Sequence, residues 1–162
     1  MEQIDPIFQL DKSILLAGMR MVLPPKPAGH AERIQTIKDL SRRVMEKVPE
    51  ITATVGDDRY SIIANDVKEI NAPATIAVMV VVSSFSNLPG WCETLTIEPG
   101  TSARFVHKGL PRDLGQTVAQ IYQTWVPRMP QLFAKNLEII RYPPNYDPTN
   151  PQGSFEYLLP LT

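Results

Sequence analysis

The spacing of apolar residues predicts two amphipathic helices, one in each half of the chain. In the first half, apolar residues recur every three or four positions, which favours a helix over residues 28–48. In the second half, spacings of four, three and four residues predict a helix that begins near Pro111 and ends before Pro127. The two stripes consist of Ile34, Ile37, Leu40, Val44 and Val48, and of Leu114, Val118, Ile121 and Trp125.

Apolar runs around these helices predict strands. Residues 75–84 are the most strand-like, since they are rich in β-branched residues and nearly continuous, which indicates burial on both faces. Gly18 interrupts the first run and indicates either a bulge or a close approach of another backbone. The predicted strands cover residues 7–23, 59–64, 75–84, 95–107 with a turn or bulge at Pro99 and Gly100, 137–142 and 155–161.

These elements occur twice in the order β-α-β-β. We therefore predict one α+β domain over residues 1–162, with pseudo-repeat halves at about residues 1–85 and 93–162. Two such units can lie side by side as a curved antiparallel sheet with both main helices on one side. Ligands commonly bind where such units meet, so a central groove is the expected ligand site.

Composition excludes several kinds of function. Sixteen basic and seventeen acidic residues give a net charge of −1, so no direct nucleic-acid binding is expected. The single cysteine, Cys92, allows no internal disulfide and no cysteine-based zinc site. His30 and His107 lack acidic neighbours at ligand spacing, so no metal site is expected. The sequence has no glycine-rich phosphate loop and no nucleophile elbow, and we expect no cofactor.

The start of the chain and its hydropathy favour a cytoplasmic protein. The first twelve residues lack the basic start and apolar core of a secretion signal. The longest apolar run, residues 76–82, is too short to cross a bilayer. We therefore expect a cytoplasmic location and no membrane association.

Glu156 is the sharpest candidate for chemistry, because it is a lone carboxylate in an apolar run. A buried, unpaired carboxylate costs several kcal/mol or changes its protonation state. Strand alternation leaves two possibilities open, a side chain that points to water or one that faces a ligand pocket. Aromatic residues are candidates for the pocket walls, because their ring faces attract cations, although core packing is their commoner role. These residues are Trp91, Trp125, Tyr60, Phe105, Tyr142 and Tyr146.

Four motifs in the second half carry a resemblance to a known family. Residues 97–109 (IEPGTSARFVHKG) match a strand of the pattern IPAGTYAVFxHKG, and residues 121–130 (IYQTWVPRMP) match a helix end of the pattern IYxxWLP. Residues 139–148 (IIRYPPNYDP) match FExYxxxFDP, and residues 155–161 (FEYLLPL) match VEIYIPI. In this order, the motifs resemble those of the AraC-type effector-binding, gyrase-inhibitor-like small-molecule-binding superfamily.

This resemblance implies two β-α-β-β units around a central cleft that binds small molecules, often hydrophobic or cationic. It also implies a pocket glutamate in the last strand, at the position of Glu156. The chain departs from the family pattern where Ile140 replaces the acid of FExY and Ser102 replaces the usual tyrosine. Glu138 lies two residues before Ile140 and shares its face of the strand by alternation.

We therefore expect a stand-alone effector-binding-like domain that holds a hydrophobic or cationic small molecule, with Glu156 as the charged group. One alternative is a hydrolase of strained small molecules, in which Glu156 would be the catalytic residue that activates water. Another alternative is a protein that partners a transcription regulator. It would dock through a sheet edge or through the basic face of the first helix, near Arg42 and Arg43.

Overall fold

Strands and helices form where the apolar patterns predict them, with additional boundaries in the strands. The computed structural model describes residues 2–23, 30–64, 74–125, 127 and 137–160. The strands are β1 (Glu2–Leu10), β2 (Ile14–Val22), β3 (Thr54–Ala64), β4 (Thr75–Val82), β5 (Glu93–Ile97), β6 (Gly100–Lys108), β7 (Leu137–Tyr142) and β8 (Ser154–Pro160). The helices are α1 (His30–Lys47) and α2 (Leu114–Gln120), and a π-helical turn (Ile121–Trp125) continues α2.

The described strands form one eight-stranded antiparallel sheet with the order β1-β6-β8-β7-β3-β4-β2-β5. The two predicted β-α-β-β units are present as β2-α1-β3-β4 and β6-α2-β7-β8. They meet where β3 pairs with β7, from Arg59 opposite Tyr142 to Ala64 opposite Leu137. The predicted α+β class, with two main helices and an antiparallel sheet, is confirmed.

Each unit is preceded by one further strand that the apolar pattern does not separate. The pattern predicts a single strand over residues 7–23, but the chain bends at the polar residues 11–13 and forms β1 and β2. Residues 95–107 likewise belong to two strands, β5 and β6, which separate at Glu98 and Pro99. β1 pairs with β6, and β5 pairs with β2. Each extra strand therefore covers the outer edge of the other unit.

Both helices lie on the same face of the sheet. α1 packs Leu40 and Val44 against Ile76 and Val78 of β4. α2 and its π-helical turn cover an aromatic cluster on β6, β7 and β8. The buried members of that cluster are Ala103, Phe105, Ile121, Ile140, Phe155, Tyr157 and Leu159.

The opposite face of the sheet is also apolar at its centre. β4 contributes Ile76 and Val78 to the helix face and Ala77 and Met79 to the other, which confirms its predicted burial on both faces. This second core consists of Leu16, Tyr60, Ile62, Ala77, Met79, Ile139 and Leu158.

Some sequence predictions fall beyond the described part of the chain. Residues 28–29 of the first helix, 126 and 128–130 of the IYxxWLP-like motif, and 161 of the last strand lie outside the described residues. Among the residues that are described, no helix is long and apolar enough to cross a membrane.

Candidate functional site

The most distinctive polar group on the helix face is Glu138, near the start of β7. It lies opposite Ile63 in the pairing of β3 with β7, and antiparallel partners share one face of a sheet. Ile63 packs against the cluster under α1, whereas Glu138 is hydrogen-bonded to Tyr122 in the turn after α2. The carboxylate of Glu138 therefore lies where the two β-α-β-β units meet.

Two phenol hydroxyls hold the Glu138 carboxylate. The Tyr157 hydroxyl donates to Glu138 Oε1 over 2.5 Å, and the Tyr122 hydroxyl donates to the same oxygen over 3.4 Å. Burial, together with the charge and hydrogen bond of Glu138, raises the pKa of Tyr122 to about 12. The same causes, burial first, raise the pKa of Tyr157. Both phenols therefore stay protonated at neutral pH and act as donors.

Glu138 has no positively charged partner among the described residues. Its hydrogen bonds there are those from Tyr122 and Tyr157, and no arginine or lysine of this part of the chain forms an ion pair with it. The side chain is half-buried, so water screens its charge only in part. Such a carboxylate favours an incoming cation, because the cation compensates a charge that the protein leaves uncompensated.

Aromatic side chains extend from this carboxylate across the second unit. Tyr157 is a member of the buried cluster under α2, and Trp125 packs on Phe105 with ring centroids 6.0 Å apart. Tyr142 and Tyr146 lie 5.0 Å apart by their centroids at the end of β7. Four of the predicted wall residues, Phe105, Trp125, Tyr142 and Tyr146, therefore lie on the face that carries Glu138.

Glu156 lies on the opposite face of the sheet. Its Oε1 is 2.6 Å from Arg104 Nη2, and its Oε2 is 3.2 Å from Arg141 Nη1. Arg141 also contacts Asp58 Oδ2 over 2.8 Å, so the four charged side chains form a line across β6, β8, β7 and β3. A cleft of about 230 Å³ lies beside them, also lined by Pro143. The charge of Glu156 is thus compensated within the protein, and its role in ligand binding stays a prediction.

The two other predicted wall residues lie away from Glu138 and its aromatic cluster. Tyr60 belongs to the core on the far side of the sheet, where burial raises its pKa. Trp91 lies at the outer edge of the first unit, with Lys47 Nζ 5.4 Å from its ring centroid. The structure therefore does not bring Tyr60, Trp91 and Glu156 together with the other four.

Sequence analysis did not select Glu138, Tyr122 and Tyr157 as site residues. The signal for Glu138 was present, because alternation places it on the face of Ile140, where the family pattern has its acid. The two tyrosines have no local signal. Their convergence depends on the pairing of β7 with β8 and on the position of the helix above them.

His107 has a structural role in the core. Its Nε2 donates to the Leu110 carbonyl over 2.9 Å, which leaves Nδ1 to accept from Thr117 Oγ1 at 2.7 Å. The ring also packs on Phe155, with centroids 4.8 Å apart. Across the described residues, no group of three histidine, cysteine or acidic side chains is placed to hold a metal ion.

Two β-α-β-β units with both helices on one face form the layout that the sequence motifs predict for an effector-binding domain. The chain belongs to the family of integron-associated effector binding proteins, whose sequence model matches residues 7–161. No curated protein matches the chain.

Three solved structures share the fold at low sequence identity. SAV2435 bound to tetraphenylphosphonium superposes with a TM-score of 0.73 at 13% identity, over 100% of this chain and 94% of that one. The EcmrR C-terminal domain gives 0.66 at 16% identity, over 96% and 95% of the two chains. The integron cassette protein VCH_CASS2 of Vibrio cholerae gives 0.62 at 12% identity, over 96% and 94%.

Proposed function

We propose that this chain binds a lipophilic organic cation on the helix face of its sheet, with Glu138 as the counter-charge. The observation that carries this proposal is the half-buried Glu138 carboxylate, which has two phenol donors and no arginine or lysine partner within the described residues. The neighbouring fold of SAV2435, which is bound to tetraphenylphosphonium, supports the choice of ligand class.

The hydrogen bonds from the two tyrosines leave the carboxylate suited to a cation that carries no N–H or O–H donors. Both hydroxyls donate to Oε1, and no described residue donates to Oε2. A delocalised cation forms no hydrogen bond, so its attraction is electrostatic and is strongest beside an oxygen that lacks other donors. Aromatic ring faces add cation–π attraction, and we assign this role to Tyr122 and Trp125.

Isothermal titration with tetraphenylphosphonium tests the proposal through two matched substitutions. Glu138→Gln keeps an acceptor for both hydroxyls and removes the charge, and we expect affinity to fall tenfold or more, which corresponds to about 1.4 kcal/mol. Glu156→Gln removes the same charge on the other face, and we expect affinity to change less than about twofold. The reverse result would assign the charge to Glu156, as the sequence motifs imply, and would overturn the role of Glu138.

Hydrolysis is the competing activity, and the contacts of Glu156 argue against it as the base. Arg104 and Arg141 each engage one oxygen of the Glu156 carboxylate, so neither oxygen is left for an attacking water. Turnover of a strained-ring substrate that is lost in Glu156→Gln and retained in Glu138→Gln would support the enzyme instead of the binding protein.

A further inference from the structure

A second cleft, of about 390 Å³, lies at the outer edge of the first unit, beyond the site of the proposed function. β5 pairs with β2 only from Ile14 to Gly18, where Gly18 lies opposite Glu93. Residues 19–22 of β2 continue past the end of β5, and α1 lies over them. The cleft occupies this step in the sheet, and its volume is within the range of small-molecule sites.

The floor of the cleft is apolar and adaptable. Met19 and Met21 of β2 pack against Leu40 of α1, and all three line the cleft. Methionine side chains are unbranched and polarisable, so they adjust to apolar ligands of different shapes. The indole of Trp91 adds a flat wall at one end.

Three cations surround this apolar floor. Leu40, Arg43 and Lys47 follow one another at spacings of three and four residues, so they share one face of α1, and Arg20 reaches the cleft from β2. Within the described part of the chain, neither arginine has an ion-pair partner, and Lys47 is placed over the Trp91 ring.

Within the described residues, the positive charge of the cleft is therefore not compensated. Among the described residues that line it, Glu93 is the one acidic side chain, against three cations. On the same helix, by contrast, Arg42 lies 4.0 Å from Glu46 and does not line the cleft. Arg42 is thus an ordinary solvent-exposed residue with an acidic partner, whereas the cations of the cleft surround apolar side chains.

We propose that this cleft binds an anionic amphiphile, a single apolar chain or ring system with a carboxylate or sulfonate head group. The apolar part contacts Met19, Met21 and Trp91, while the head group pairs with Arg43 and Lys47. This site has the opposite charge preference to the one around Glu138. The chain would then hold two ligand classes at separate places.

Laurate, used below its micelle concentration, is the probe for this proposal. Isothermal titration compares the wild type with Arg43→Glu/Lys47→Glu and with the control Lys38→Glu/Arg42→Glu, which changes the charge of α1 equally outside the cleft. We expect the first double variant to bind laurate at least tenfold more weakly and the control to bind as the wild type does. Laurate affinity should also fall as salt is raised. Equal laurate affinity in both double variants would overturn the proposal.

Three further measurements separate this result from other causes. Arg43→Ala/Lys47→Ala repeats the test if the charge reversal impairs folding, and it should also weaken laurate binding.

The two sites should also respond independently. Tetraphenylphosphonium affinity should be retained in both the Glu and the Ala double variants of Arg43 and Lys47, because the Glu138 site lies elsewhere. Glu138→Gln should leave laurate affinity unchanged. Loss of laurate binding in Glu138→Gln, or charge-dependent binding to phosphatidylglycerol vesicles with no binding of monomeric laurate, would contradict the proposed site.

Discussion

Gly18 of β2 lies directly against the backbone of β4. A Cβ atom added there would lie 2.0 Å from the Val78 carbonyl oxygen and 2.8 Å from the Met79 Cα. Of the two alternatives that the sequence leaves open at Gly18, the close approach is therefore the one observed. The atoms that would be displaced belong to a central strand, so they cannot move without disturbing its pairing.

We expect Gly18→Ala to lower the free energy of unfolding by about 1–3 kcal/mol or more, because the new methyl group forces the two strands apart. Urea denaturation measures this change. Gly90→Ala is the control, since a Cβ at Gly90 meets no atom within 4 Å. Equal midpoints for the two variants would show that β2 and β4 adjust to a side chain without cost.

The tyrosines around Glu138 make stability depend on pH in the alkaline range. The pKa of Tyr122 is about 12 in the folded protein, above its value of 10.0 in the absence of the fold. The folded state thus holds this proton more tightly, and the resulting stability is fully present below pH 10. It is lost as pH rises from about 10 to about 12, because the unfolded chain releases the proton first.

We expect Tyr122→Phe to flatten the fall in unfolding free energy between about pH 10 and 12, because the phenol of Tyr122 no longer titrates. Urea denaturation at several pH values measures the slope. Tyr157, Tyr142 and Tyr146 also have raised pKa values, so a residual slope should remain. A slope identical to that of the wild type would show that the fold does not raise the pKa of Tyr122.

At the scale of elements, a line of charges crosses the junction of the two units. Arg141 of β7 lies opposite Glu156 of β8, and Arg141 also reaches Asp58 on β3, so its guanidinium joins strands of both units. Arg104 pairs with Glu156 from β6 on the other side. All four side chains are partly buried, which makes their pairing stronger than that of fully exposed ions.

We expect Glu156→Gln to lower the unfolding free energy by about 1–2 kcal/mol, since it removes the central charge and leaves Arg104 with a weaker partner. Chemical denaturation at low salt measures the loss, and added salt should reduce the difference between variant and wild type. A variant as stable as the wild type would mean that the arginines are satisfied by water.

The sequence allows prediction of most elements but of few cross-strand contacts. The apolar stripes predict α1, and the motifs predict the order β6-α2-β7-β8, because these signals are local. The division of residues 7–23 into two strands is missed, since the turn at residues 11–13 contains neither glycine nor proline. The partners of Glu156 are missed for another reason. Arg104 and Arg141 are distant in sequence, and only the strand register brings them to it.

At the scale of the whole molecule, equivalent strands of the two units occur in the same order when the sheet is followed inward from either edge. From one edge it is β1, β6, β8 and β7, and from the other it is β5, β2, β4 and β3. β1 thus corresponds to β5, β6 to β2, β8 to β4 and β7 to β3. The exchanged strands β1 and β5 connect the halves a second time, in addition to the central pairing of β3 with β7.

This exchange predicts the result of removing β1. Its pairing runs from Glu2 opposite Val106 to Leu10 opposite Gly100, so a chain without residues 2–10 leaves the outer edge of β6 unpaired. An open edge exposes backbone donors and acceptors that pair with other chains. We expect the shortened chain to melt at a temperature lower by roughly 10 °C or more, given a shift of about 2–4 °C per kcal/mol at this size. It should also self-associate more than the full chain in light scattering.

Two glycines inserted after Lys12 provide the control for this deletion. Lys12 lies in an exposed turn between β1 and β2, and a slightly longer connection costs well under 1 kcal/mol in loop-closure entropy. The inserted chain should therefore melt close to the wild type, because β1 still reaches β6. If the insertion lowered the melting temperature as much as the deletion, the short connection itself, and not the covered edge, would hold the two units together.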